Sequence, residues 1–164
     1  MARFVYIARH AWAGQFGDPG YSDDSLRELE DEGAERYARV VQTLAERGFA
    51  PDLVATSPFT RCLQTAQLIA RHTMHSPEVV TLESLVPGSD IQSLMDWTRK
   101  SNCEQVCWVG HAPDVTTMTA ALVANGGANI RFAKGAIAAV RVDGPVDYGA
   151  GELYWHLTAK SLGL

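Results

Sequence analysis

The 164-residue chain has no apolar run long enough to span a bilayer, so a membrane-embedded fold built on helices is excluded. It has only three cysteines, an odd number that suits packing in a reduced compartment better than a disulfide framework. Cys103 and Cys107 stand four apart around a strand-like run, which predicts both on one face of a sheet. Basic residues are also in deficit: 14 Lys and Arg against 19 Asp and Glu give a net charge of -5. Broad, sequence-independent nucleic-acid binding needs many phosphate-facing cations, so that class is excluded as well, although one local cationic pocket remains compatible. Internal repeats and low-complexity tracts are missing. Met1-Ala2-Arg3 leads directly into a strand-like run, an opening expected of neither a signal peptide nor a spanning segment, and a cytoplasmic location is the expectation. With 46% hydrophobic and 20% charged residues, the composition is that of a globular domain with a real core, expected to occupy residues 1–164 as one unit.

The apolar run Phe4 to Ala8 reads as a buried strand that exits at Arg9-His10. A polar, glycine-bearing loop from about Ala13 to Asp23 follows, and Trp12 with this loop either lines a pocket mouth or forms plain surface. From Ser25 to Arg47 the apolar residues keep helical spacing, with Gly33 a point where the helix divides in two and Gly48 its C-cap. The acidic residues from Glu28 to Glu35 read as a solvated face of that helix. Asp52 to Thr56 is a second buried strand, and Ser57-Pro58 reads as an N-cap followed by proline at the first helical position. Arg61 then falls in that helix's first turn, and His72 and His75 lie near its end, where imidazole complements the dipole.

Val79 to Leu82 is a third, weaker strand, followed by a loop from Glu83 to Asp90 and an amphipathic helix from Ile91 to Arg99. Gln105 to Val109 is a fourth strand ending at Gly110-His111, after which Ala112-Pro113 opens a helix reaching about Asn125. An Asn125-Gly126-Gly127 turn and a closing pair of strands, Ala136 to Val142 and Glu152 to Leu157, complete the chain, with His156 alternating within the last strand. Strands alternating with helices predict an α/β fold: a mainly parallel sheet covered on both faces.

In open sheets of this kind ligands bind beyond the carboxyl ends of strands, and Arg9-His10, Arg61 and Gly110-His111 all fall at such places. Two arginines and two histidines around one cavity suit a dianionic phosphate, since guanidinium forks grip its oxygens and stabilise the charge of a phosphoryl-transfer transition state. His10 attacks phosphorus only when one ring nitrogen carries a lone pair, so its other nitrogen should donate to a backbone carbonyl. Neighbouring arginines help by lowering its pKa. His111 is the expected donor to the phosphoryl oxygens, and the helix beginning at Pro113 aims a dipole at the same anion.

Arg9-His10-Ala11, the segment Ser57-Pro58-Phe59-Thr60-Arg61-Cys62-Leu63-Gln64-Thr65-Ala66, and Val109-Gly110-His111-Ala112-Pro113 resemble the three signature segments of the histidine phosphatase superfamily, the phosphoglycerate mutase-like fold. The segments occur in the family's order and cover most of the chain, and its shortness resembles the minimal bacterial phosphohistidine phosphatases. Arg27-Glu28-Leu29 with Gly33 is similar to that group's R-x-L-T-x-x-G segment, Glu30 standing where threonine is usual. Ala11 stands where the wider superfamily has glycine, which would be strained if the position required positive φ. The resemblance implies His10 as the phosphorylated nucleophile and Arg9, Arg61 and His111 as the rest of the phosphate pocket. It puts the catalytic acid near Glu83, with Asp90 a second option, while alignment on Pro87 puts Ser84 at that position.

A phosphate ester's alkoxide needs a proton from such an acid, whereas the imidazole of phosphohistidine leaves more readily. The implied activity is therefore a phosphatase, needing neither metal nor cofactor, acting through phosphorylated His10 on phosphohistidine in a signalling or phosphotransfer protein. The alternatives are a phosphatase of small phosphomonoesters, such as sugar phosphates or nucleotides, and a non-catalytic module that only binds a phospho-ligand. A mutase needs a lid to retain its intermediate, and the chain has no insertion of that size. The expected partner is thus a phosphorylated protein or small phosphate ester, not nucleic acid or membrane; oligomeric state is left open.

Overall fold

The computed structural model describes residues 2–124 and 127–164, so two positions of the predicted 125–127 turn lie outside the described residues. Strands β1 (Ala2–Arg9), β2 (Leu53–Thr56), β3 (Glu78–Thr81), β4 (Gln105–Gly110), β5 (Ile137–Asp143) and β6 (Gly151–Leu157) form one sheet in the order β3-β2-β4-β1-β5-β6. The first four named in that order are parallel, and β5 and β6 add antiparallel strands at the far edge. Helices α1 (Asp31–Ala45), α2 (Thr60–His72), α3 (Ile91–Ser101) and α4 (Asp114–Ala124) make the crossovers.

Alternation along β1 explains why both faces are covered. Val5 and Ile7 join a core with Leu94, Met95, Trp108, Val115 and Met118 under α3 and α4. Tyr6 and Ala8 join the opposite core with Tyr37, Val41, Cys62 and Ile69 under α1 and α2. These strands are buried on both faces and so read as continuous apolar runs. Among the described residues no helix is long and apolar enough to cross a membrane.

Several local expectations are corrected. Residues 25–47 are not one helix: a 3-10 turn at Asp24–Leu26 precedes an extended stretch, and α1 begins only at Asp31. Long-range bonds hold that stretch out of the helix. Glu30 N–H donates to Trp12 O (3.0 Å), Leu29 N–H to Gln64 Oε1 (2.7 Å), and Leu29 pairs with Ala13 in an isolated bridge. Gly33 lies past the break, inside α1, where an added Cβ would come within 2.6 Å of Trp12 O. It permits close approach of the helix to the chain just after His10.

Ser57 is not the N-cap of α2, which starts at Thr60 with Phe59 as its cap. Ser57 N–H donates to Val109 O (3.1 Å), keeping the residue an extension of β2. Pro113 likewise precedes α4, which begins at Asp114. Cys103 and Cys107 face opposite cores, because Cys103 lies ahead of β4, where strand alternation does not apply. Gly48 does close α1 as expected: with φ +97° it allows Gly48 N–H to reach Ala45 O (3.1 Å) and Phe49 N–H to reach Leu44 O (3.0 Å), a Schellman arrangement. His75 pairs with Asp52 (Nδ1 to Oδ1 2.8 Å) rather than capping α2.

Candidate active site

The three predicted segments meet at the carboxyl ends of β2, β4 and β1, adjacent strands at the sheet's centre. Arg9 is in register with Gly110 and Thr56 with Val109, so His10, His111 and Ser57 emerge side by side. His10 is held by its backbone on two sides, donating from N to Gly110 O (3.0 Å) and accepting at O from Gly135 N (3.0 Å). Ala11 is fully buried and is absent from the positive-φ residues, so alanine fits there without strain. Its N–H donates to Thr65 Oγ1 (3.0 Å), and that hydroxyl donates to Arg61 O (2.7 Å). Two hydrogen bonds thus tie the His10 loop to the turn of α2 that carries Arg61.

His10 Nδ1 lies 2.8 Å from Ala11 O. A carbonyl can only accept, so Nδ1 carries the proton and the lone pair belongs to Nε2. Burial is the main force pushing the His10 pKa down to about 3; the Ala11 carbonyl opposes it, and the charge of Arg61, then His111 and Arg9, adds to it. The ring is therefore neutral at neutral pH. His111, 4% exposed with its ring centroid 5.7 Å from that of His10, is likewise lowered to about 4, by burial first and then by Arg61, against the opposing carboxylates of Asp114 and Asp24. Its Nδ1 faces Arg61 Nη2 at 3.4 Å, and its Nε2 lies 2.9 Å from Ser57 Oγ. Guanidinium only donates, which leaves the proton on Nε2 and directs it to Ser57.

Arg61 is 5% exposed in the first turn of α2 and is anchored by Asp24, donating to its backbone O (2.9 Å) and to its Oδ2 (3.1 Å). Asp24 also accepts from Arg27 Nε (3.0 Å), and Arg27 donates to Gly14 O. Partial burial of Asp24 raises its pKa, but the Arg27 hydrogen bond and the charges of Arg61 and Arg27 outweigh this and hold it below the usual carboxylate value. Arg9 donates from Nη1 to Phe132 O (2.8 Å), and burial lowers its pKa. Arg9 Nε and Arg61 Nε are buried donors with no acceptor among the described residues.

His10, Arg61 and His111 are thus brought together, with Arg9 close enough for its charge to act on His10. The carboxylates proposed as acid make no hydrogen bond to this group among the described residues. Glu83 is exposed at the start of the 3-10 turn Glu83–Leu85, with no bond to His10, Arg61 or His111 among the described residues. Asp90 caps α3, accepting from Ser93 N (3.1 Å). Asp24, Ser57 and Thr65 were missed as members of this cluster. Asp24 carries no periodic or motif signal, whereas Ser57 and Thr65 stand inside a recognisable segment, where Ser57 reads as a cap and Thr65 is given no role of its own.

The model of the histidine phosphatase superfamily (branch 1) matches residues 5–86, half of the chain, taking in Arg9-His10 and Arg61. The structure of the protein histidine phosphatase SixA complexed with tungstate is similar over 97% of this chain and 99% of that one, with a TM-score of 0.84 at 24% identity. A protein described as a phosphohistidine phosphatase SixA from Agrobacterium tumefaciens follows with a TM-score of 0.76 at 22% identity, over 95% and 97% of the two chains. Phosphoserine phosphatase from Entamoeba histolytica, in complex with 3-phosphoglyceric acid, shares the fold at a TM-score of 0.69 and 17% identity, over 97% and 98%. An uncharacterized protein of Picosynechococcus sp. is 28% identical over 114 residues, 68% of this chain and 67% of its own. The chain belongs to the histidine phosphatase superfamily, branch 1, and has its phosphoglycerate mutase-like α/β fold. Within it, the chain is a phosphatase, a hydrolase of phosphorylated substrates.

Proposed function

We propose that the whole chain acts as one phosphatase domain that removes the phosphoryl group from phosphohistidine in a protein, through a covalent intermediate on His10. The observation that carries this reading is the His10 Nδ1 to Ala11 O bond, which leaves the Nε2 lone pair free on a ring kept neutral by burial. In the first step the substrate ring carries a proton on its unphosphorylated nitrogen; His10 Nε2 bonds to phosphorus as the P–N bond breaks, and the ring leaves as neutral imidazole with the electron pair of that bond. Water then attacks the phosphoryl group on His10, releasing phosphate and restoring the lone pair. Arg9 and Arg61 neutralise the equatorial oxygens throughout. An approaching dianion raises the pKa of His111, which then protonates at Nδ1 and donates to the phosphoryl group.

Leaving-group chemistry supports phosphohistidine over an ester. Asp24, the carboxylate bonded to Arg61, is kept ionised and has no proton to give at neutral pH, and Glu83 is not tied to the site. A poorly leaving alkoxide needs such a proton. Hydrolysis of a phosphohistidine protein, compared with that of phosphoserine, sugar phosphates and nucleotides, tests this. The phosphohistidine protein is expected to give the highest kcat/KM, unchanged in Glu83→Gln. Preference for one small ester, lost in that variant, would overturn it.

A further inference from the structure

Arg9 belongs to two places at once. Beside the phosphate site it also lines a cavity of about 490 Å³, bounded by the residues after His10, by 131–134 and by 158–160. That volume lies in the range of binding pockets. Its cations are Arg9, Arg36, Arg131, Lys134 and Lys160, and no aspartate or glutamate lines it among the described residues. In a chain of net charge -5, where acids outnumber bases, such segregation concentrates a positive field in one concave place. Most of the charges are not cancelled internally. Arg9 donates only to the main-chain oxygen of Phe132 (2.8 Å), and Arg131, Lys134 and Lys160 form no ion pair among the described residues, whereas Arg36 donates to an oxygen of Leu164 (2.8 Å) and is not counted among the free charges.

We propose that this cavity is a docking site for acidic side chains of the phosphoprotein substrate, holding carboxylates while the adjoining phosphate site holds the phosphoryl group. This rests on the phosphohistidine-protein reading above. Charge complementarity selects the occupant: an acidic partner is repelled by the enzyme as a whole and attracted at this face, so the field orients it with its phosphoryl group toward His10. Trp12, the cavity's indole, is covered by the Arg36 guanidinium 4.3 Å from its centroid, which removes a stacking face a nucleobase would use. Arg131 and Lys160 are exposed on separate segments at the rim, where a protein surface would meet both.

Labelled, unphosphorylated peptides of one length, carrying several Glu or Gln at the same positions, test the site without any hydrolysis. By fluorescence anisotropy the Glu peptide is expected to bind wild type about tenfold more tightly than the Gln peptide at low salt, the gap narrowing as salt is added. Arg131→Glu/Lys160→Glu should abolish the preference, and Arg131→Gln/Lys160→Gln, a milder change should the reversal disturb folding, should reduce it. Equal binding of both peptides to wild type, a preference surviving in both variants, or loss in the variants of tight pyrophosphate binding with no peptide preference would overturn the proposal. Failure of the phosphohistidine reading is seen separately, as wild type leaving a phosphohistidine protein intact.

Discussion

Thr65→Val should loosen the nucleophile without touching it. Thr65 is fully buried, and valine has nearly the same shape, so the change opens no cavity. What disappears is the acceptor for Ala11 N–H and the donor to Arg61 O. Arg61 O keeps its partner in the α-helix, but Ala11 N–H becomes a buried donor with nothing to bond, at a cost of about 1–3 kcal/mol. For a domain of this size that lowers Tm by about 2–12 °C, at about 2–4 °C per kcal/mol. Because Ala11 O fixes the proton on His10 Nδ1, the same change should reduce kcat/KM by about tenfold or more, as a shifted nucleophile loses its aligned approach. Thr65→Ser keeps the hydroxyl and should retain most activity. Calorimetry and initial-rate kinetics on purified variants provide both readouts. A Thr65→Val protein with the Tm and kcat/KM of wild type would refute the reasoning.

Gly33→Ala should destabilise by about 1–3 kcal/mol in a denaturant titration, since its Cβ would press on Trp12 backbone that cannot yield freely. Glu30 is the N-cap of α1 and makes no side-chain cap bond, so Glu30→Thr should raise stability by about 1 kcal/mol, read in the same titration. His10 and His111 are pushed below the ordinary imidazole value, so between about pH 4 and 6.5 the unfolded chain binds more protons than the folded one and stability rises with pH. Their contribution is full above about 6.5 and is lost as pH falls toward the folded values. The double variant His10→Asn/His111→Asn should flatten that slope in melts taken across the range.

The central strands were legible because burial on both faces leaves unbroken apolar runs, each ending where a charged or polar residue begins: Ala8 to Arg9-His10, Val109-Gly110 to His111. The histidines and Arg61 follow from those ends. Leu26 and Leu29 fit a helical period just as well, yet backbone bonds from Leu29 and Glu30 to Gln64 and Trp12 keep this segment extended. Those partners are far enough along the chain that local periodicity does not register them. Asp24 reaches Arg61 only because that segment is extended, so missing the break meant missing the ion pair. The cationic cavity gathers Arg9, Arg36, Arg131 and Lys160 from four distant stretches, and only the folded sheet edge brings them together.

The claim on which the rest depends is that His10 becomes phosphorylated. Wild type and His10→Ala should be mixed with a phosphohistidine protein, denatured rapidly at alkaline pH to preserve phosphoramidate bonds, and digested for mass spectrometry. The account predicts a phosphoryl group on the wild-type peptide at His10, absent from the variant, which also fails to release phosphate. Release of phosphate by His10→Ala at the wild-type rate would contradict it.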